Sequence, residues 1–509
     1  MKRLCILILG IQFGLGLAVA ADSKVADAAS HGDWSAVRAL LTQKNDAQKN
    51  DVNATQPDGT TALMFAVRED EFAMADQLLR AGANAKVANR YGITAMNLAC
   101  VNGNPRMMER LIQAGVDVNA PGVEGETALM TVARGGKVEA AKVLLAHGAN
   151  VHATEEWRGQ TALIWAVAQS HPQMVQELIA HGADVNQRTG KQTWQRQVTA
   201  EPREKWMPQG YLTPLLFATR QGCVECARVQ LDHGADIDAQ DLEGVGPLLS
   251  SLINGHYDVA GFLIDRGANV NAVDKTGRAA LYAAVDFHTM PGSNRPAPKE
   301  LDNELTSFDV IQKLLAKGAN VNARLTAQPP YRSKVDRGTD TVFGAGSTAL
   351  FRAAKAGDTT VIKLLLDHGA DAKFTNRTGI NAVMAAAGLG TREEDATGRK
   401  KTEAEAIETI HMLLDAGVNI NDVDGTGRGA VYGAALWGLD KVVAYLAERG
   451  AMLDVKDKRG FTPLDAALGK AGGLGFDQAS GNVHPSTAAL LRELMSGQNP
   501  AQTTANAKP

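Results

Sequence analysis

"DGTTALMFAVREDEFAMADQLLRAGANAKVANR", from Asp58 to Arg90, decides the fold. Asp58-Gly59 reads as a turn, and Thr61 as a residue whose hydroxyl caps a helix carrying Leu63, Ala66 and Val67. Phe72, Ala75, Leu78 and Leu79 then share one face at helical spacing, so a second helix follows. Gly82 suits the left-handed residue that closes it. One such helix pair cannot bury its apolar face alone, whereas a stack of copies can.

The copies are present. Gly59, Gly92 and Gly125 are each 33 residues apart, and Gly159 follows 34 later. Gly244 lies 34 after Gly210 and Gly277 33 after Gly244. The steps from Gly346 to Gly379 and from Gly427 to Gly460 are again 33. That makes eleven repeats, preceded by a degenerate one around "DAASHGDWSAVRALL". Pro214, Pro247 and Pro463 stand at first helical positions, where the missing N–H costs nothing.

A 33-residue period with "G-x-T-A/P-L" and endings such as "LLAHGANVHA", "LIAHGADVNQ" and "LIDRGANVNA" resembles the ankyrin repeat, over nearly all of residues 23–495. The resemblance implies an all-α repeat solenoid of helix-turn-helix units joined by β-hairpin-like turns. It also implies a concave binding face in place of a reaction. One departure is consistent. The histidine that usually follows T-P-L is replaced in all eleven repeats, by Met64, Asn97, Met130, Ile164, Leu216, Leu249, Tyr282, Phe351, Met384, Tyr432 and Asp465. Its hydrogen bonds should be missing, with more apolar packing between first helices.

The first twenty residues, "MKRLCILILGIQFGLGLAVA", have the parts of a signal peptide. Lys2 and Arg3 precede an apolar run from Leu4 to Leu17, and Ala18-Val19-Ala20 supplies a cleavage site. We therefore expect export, to the periplasm or beyond, with residues 21–496 forming one solenoid and 497–509 a disordered tail. No later stretch reaches eighteen consecutive apolar residues, so no membrane span is expected in the mature chain, which we expect to be a monomer. Net charge is −4, and loss of Lys2 and Arg3 would leave 50 basic residues against 56 acidic ones, or −6. That balance gives no reason to expect nucleic acid as a partner.

No chemistry stands out. His147, His181, His233 and His368 each precede a loop glycine. As repeat equivalents they lie about 10 Å apart between neighbours, too far to converge on a metal ion. No nucleophile elbow, phosphate loop or dinucleotide fingerprint is found, so we expect no enzyme, no metal and no cofactor. Cys223 and Cys226 form a C-x-x-C in "GCVECA". Cys226 falls in register with core residues and Cys223 on the turn before it. A structural disulfide, two free thiols and a redox pair all remain open, and with no activating neighbour apparent the register favours a staple at a helix start. Cys100 reads as a small core residue.

Binding residues are sought on the concave face and in the insertions. The position after the missing histidine should point into the groove. It reads Phe65, Leu98, Thr131, Trp165, Phe217, Ser250, Ala283, Arg352, Ala385, Gly433 and Ala466. Arg68, Arg134 and Arg220 follow three residues later in alternate repeats. Phe65, Trp165, Phe217 and Arg220 are thus candidates for a mixed aromatic-arginine surface, although the same bulk could simply fill gaps between repeats. Two insertions, at 187–209 and 324–346, occupy the hairpin tip and lengthen it into a finger. The first carries Trp194, Arg196, Arg203, Lys205 and Trp206, the second Tyr331 and Arg332. Three more, at 288–307, 388–406 and 469–486, split first from second helices, with Lys299–Leu305 and Thr402–Ile407 expected to prolong the second helix. The reading is a non-enzymatic scaffold for a protein partner. The alternatives are an accessory to a periplasmic redox enzyme, through Cys223 and Cys226, and a secreted effector acting on a host protein.

Overall fold

Thr61 Oγ1 accepts the Met64 N–H at 3.2 Å, and the helix Ala62–Arg68 starts there. Thr94, Thr127, Thr213, Thr348 and Thr462 do the same at the first helices of their repeats. Each satisfies an N–H that the helix itself leaves orphaned. Pro214, Pro247 and Pro463 occupy the first turn, as their lack of an N–H allows. Gly59 takes a left-handed φ of 84°, and a Cβ there would lie 3.2 Å from Asn89 Cα of the next tip. Glycine is needed both for the turn and for the close stacking of tips.

The structure, a computed structural model, describes residues 23–42, 51–193, 209–289, 303–329, 344–390, 401–471 and 482–497. Among these residues there are 24 α-helices, two for each of the eleven repeats and two for the N-terminal one. No sheet forms among them. The hairpin tips contribute isolated antiparallel bridges, such as Thr55 with Thr61 and Ala88 with Thr94.

The contacts divide the chain into two compact units. In the first, the inner helices Lys24–Ser30, Ala62–Arg68, Ala95–Asn102 and Ala128–Arg134 stack in order, and the outer helices Phe72–Arg80, Pro105–Gln113 and Val138–Ala146 back them. Leu63, Met64, Met74, Leu78, Met107, Leu111, Met130 and Leu144 are fully buried between the layers. Phe72, expected on the buried face, sits instead at its rim, with Arg106 stacked 3.8 Å over its ring. At the turns Asn53 donates to Gly82 O at 3.1 Å and accepts from Asn84 N–H at 2.7 Å, and Asn119 bonds Gly148 and Asn150 likewise. Each asparagine thereby ties one repeat to the next.

The second unit repeats the arrangement from Pro214–Gln221 with Val224–Asp232 to Pro463–Ala467 with Pro485–Met495. The pair Ala162–Ala168 and Pro172–Ala180 supplies residues to both units. Gly433 shows why small residues line its later inner helices. A Cβ there would meet the Leu389 backbone nitrogen at 2.6 Å.

Two expectations need correction. Asn97 and Asp465, in the slot of the missing histidine, do hydrogen-bond. Asn97 Oδ1 accepts the Thr94 N–H at 2.9 Å, and Asp465 accepts the Thr462 hydroxyl at 2.8 Å. In the same slot Tyr432 donates its hydroxyl to Asp457 at 3.4 Å and the Met130 sulfur accepts the Thr127 N–H at 3.5 Å, while Met64, Ile164 and Leu216 are apolar and buried. Residues 303–305 do not prolong the second helix, which begins at Ser307. Asp258 accepts the Glu304 and Leu305 N–H groups at 3.0 and 2.8 Å, and a Thr306–Asp309 capping box fixes the start one residue later. Thr402, by contrast, caps a 13-residue helix, Glu403–Asp415.

Candidate interaction surface

Arg134 and Trp165 meet on the inner face of the first unit. The guanidinium carbon lies 4.8 Å over the indole ring, and Glu126 approaches Arg134 at 3.6 Å. Trp165 is half-buried, and its Nε1 is buried with no hydrogen-bond partner among the described residues. Arg68 stacks 4.9 Å over Phe65 in the same manner, one turn along its own helix. Phe65 itself is only 8% exposed, so it packs between repeats more than it faces outward. Gap filling therefore describes Phe65, and a partly open aromatic describes Trp165.

In the second unit Phe217 is half-buried and Arg220 exposed. Arg352, expected to line the groove, is fully buried. Its Nε bonds Asp286 Oδ1 at 2.6 Å, so it is part of the inter-repeat packing and not of an open face. Ser250, Ala283, Ala385, Gly433 and Ala466 are buried as well.

The clearest exposed apolar groups lie elsewhere. Tyr91, Val123 and Trp157 are 57%, 55% and 62% exposed, on three successive hairpin tips of the first unit. Arg90 stacks 4.7 Å over Tyr91 and also bonds its hydroxyl. Trp157 is anchored through its backbone, since Glu155 accepts its N–H at 2.6 Å and leaves the ring outward. The sequence does carry this signal, as one bulky apolar residue one or two positions before the beat glycine in consecutive repeats.

Trp194, Arg196, Arg203, Lys205, Trp206, Tyr331 and Arg332 lie outside the described residues. The base of the first finger is described. Lys191 pairs with Gly210 in an antiparallel bridge, Gln192 N–H donates to Gln209 O at 2.7 Å and Thr189 N–H to Leu212 O at 2.9 Å. Arg188 and Lys191 flank the Tyr211 ring at 4.5 and 4.9 Å. At the second, Leu325 N–H donates to Ser347 O at 3.0 Å, and Arg324 lies 3.4 Å over Phe374. Both insertions thus leave from hairpin stems.

Of the histidines before the loop glycines, two satisfy carbonyls at their own helix ends and a third reaches the preceding repeat. His233 and His368 bond the carbonyls of Val229 and Leu364 at 2.7 and 2.8 Å, and His147 bonds Glu109 at 2.9 Å. That last bond is the main cause holding the Glu109 carboxyl below its usual range. Among the described residues no group of His, Cys, Asp and Glu could hold a metal ion. Cys100 is buried, and burial raises its thiol to about 12. Cys223 and Cys226 are joined in a disulfide, with their Cα atoms 5.3 Å apart.

A family model of ankyrin repeats in three copies matches residues 25–122, 98–189 and 215–325, and a single ankyrin repeat matches 345–377. The chain belongs to the ankyrin-repeat family. Among its relatives, the palmitoyltransferase AKR1 of Lachancea kluyveri is 29% identical over 149 residues, which is 29% of this chain and 18% of that protein. The ankyrin repeat and KH domain-containing protein mask of Drosophila melanogaster is 33% identical over 120 residues, 23% of this chain and 3% of that one. The chain thus spans less than a fifth of either relative. The crystal structure of the human ASB11 ankyrin repeat domain is similar at 22% identity, covering 48% of this chain and 99% of that domain, with a TM-score of 0.39. Ankyrin repeats make the chain a protein–protein interaction scaffold, on a fold that is typically non-enzymatic. No helix among the described residues is long and apolar enough to cross a membrane.

Proposed function

We propose that this ankyrin protein is exported and binds a protein partner without turnover, chiefly through the hairpin tips and inner face of its first unit. The row of Tyr91, Val123 and Trp157 carries the reading. Exposed aromatics on a rigid stack cost little ordering entropy on binding, and Trp, Tyr and Arg are the residue types that anchor interfaces. Arg90 and Arg134, stacked on aromatic rings, add positive charge to this surface, the kind of group that meets carbonyls and carboxylates of a partner. In sequence the next tip after Trp157 is the 187–209 finger, where Trp194 and Trp206 with Arg196, Arg203 and Lys205 continue the same composition.

The test is Tyr91→Ala combined with Trp157→Ala. Both rings are exposed, so stability should stay within about 0.5 kcal/mol. Affinity for the partner should fall by about 2 kcal/mol or more. Full affinity in that variant refutes the tip surface. Replacing Trp194 and Trp206 by alanine is the parallel test for the finger. Export rests on the signal-like N-terminus, and N-terminal sequencing should find the mature chain starting at or near Ala21; secreted material still carrying Met1 rejects it.

A further inference from the structure

Cys223 is the N-cap of the nine-residue helix Val224–Asp232, and its sulfur accepts the N–H of Cys226 at 3.2 Å. Two equivalent positions carry the same kind of cap. Asn104 accepts the Met107 N–H at 3.1 Å, and the carboxylate of Asp358 accepts the Val361 N–H at 3.1 Å. The slot can thus hold an acceptor, in Asp358 an anion, against the orphaned N–H groups and positive end of a helix, whereas Lys137, His256 and Leu439 occupy it in other repeats with no side-chain cap. A Cys223 thiolate would sit where the Asp358 carboxylate sits. This is the activating neighbour that the sequence by itself does not reveal.

The surroundings of the pair are asymmetric. Cys226 is fully buried among core residues, whereas Cys223 is partly exposed at the surface turn. The His256 imidazole lies against Gly222, where a Cβ would be 2.5 Å from its Nδ1, and its Nε2 bonds the Arg220 carbonyl at 3.0 Å. Glu225, the acidic group of the first turn, is held by Arg228 at 3.2 Å. One sulfur is thus reachable and stabilised as a leaving group, and the other is sequestered behind it.

We infer that Cys223–Cys226 is a redox-active disulfide that oxidises a pair of thiols on a partner protein, an activity separate from docking at the first unit. A partner thiolate attacks Cys223 Sγ, and the Cys223–Cys226 bond breaks. Cys226 leaves with the electron pair and takes a proton. The second partner thiol then loses its proton and attacks the partner sulfur bound to Cys223, expelling Cys223 as the thiolate seated at the helix N-terminus. The partner gains one disulfide and loses two electrons, and the chain is left with two reduced cysteines. Stabilising the expelled thiolate speeds that step and favours the reduced chain.

The test uses the full chain with Cys5→Ala and Cys100→Ala, so that Cys223 and Cys226 are its remaining cysteines. Adding Cys226→Ser leaves Cys223 as the single thiol, to be alkylated with iodoacetamide at pH 6 beside free glutathione. Cys223 should react about tenfold faster or more, because the helix N-terminus that holds its sulfur favours the thiolate. Reaction no faster than glutathione overturns the proposal and leaves the disulfide as a staple. Should the variant lose its helical circular dichroism, the intact oxidised chain decides. Mixed with one equivalent of a reduced two-cysteine peptide, it should return oxidised peptide and reduced chain; an unchanged peptide overturns the proposal.

Discussion

Arg134 lies 4.8 Å over the ring of Trp165, so a residue of one repeat holds the aromatic of the next half-open on the inner face. A cation–π contact at an exposed site is worth about 0.5–1 kcal/mol. Arg134→Ala should therefore cost the first unit about that much in chemical denaturation. It should weaken partner binding by more, because the side chain also leaves the surface that meets the partner. Calorimetry on the purified pair measures the second effect. Equal losses in both would make the contact purely structural.

Arg352, fully buried, and Asp286, half-buried, form an ion pair between neighbouring inner helices, 66 residues apart in sequence. Removing the arginine takes away its packing and leaves a half-buried carboxylate without that partner, at about 2–3 kcal/mol, toward or below the low end for a fully buried pair. Arg352→Ala should lower the unfolding free energy of the second unit by that amount. Changing Arg352 to Met together with Asp286 to Ala should recover part of it. A cost below about 1 kcal/mol for Arg352→Ala would show that the pair does not hold these repeats.

Acid should loosen particular helix starts. Hydrogen bonds from the Thr306 hydroxyl and backbone hold the Asp309 carboxyl below its usual range, and those from Thr462 do so for Asp465. A carboxyl with a depressed folded pKa adds stability above the unfolded value of about 4, and that stability is lost as pH falls toward the folded pKa. Thermal melts should thus fall below about pH 4. In Asp309→Asn and Asp465→Asn the decline should be shallower, with a lower starting point at pH 7. An unchanged acid limb in both contradicts this assignment.

Contacts between successive repeats also make a truncation prediction. A chain ending before Gly427 removes the helix Ala430–Leu436, which packs on Ala382–Ala386. The remaining repeats should keep their helical circular dichroism and lose solubility, because an apolar face is bared. Complete loss of the helical signal would mean one indivisible core.

The beat glycines, threonine caps and first-turn prolines could all be read from the sequence, because each is a local backbone requirement repeated at fixed offset. What escaped depends on neighbours. Arg352 looks like a groove residue by register, yet Asp286 on the preceding inner helix draws it inside. Residues 303–305 carry a helical pattern, but the Asp258 carboxylate captures their N–H groups. The capping bonds of Asn97 and Asp465 replace a histidine by different chemistry in two repeats. Tyr91, Val123 and Trp157 stand out in the sequence only as bulky tip residues, and their exposure is set by how the adjacent tip stacks, as where Val123 fills the space beside Gly92.

The proposed docking surface can be mapped directly in cells. A photo-crosslinking amino acid is placed at Trp157, at Tyr91, and at Lys142 on the outer helix Val138–Ala146, an exposed position on the opposite layer of the same unit. Irradiation should yield one discrete cross-linked protein from positions 157 and 91 and none from 142. The same adduct from 142 alone, or equal yields from all three, would contradict a partner bound at the tips.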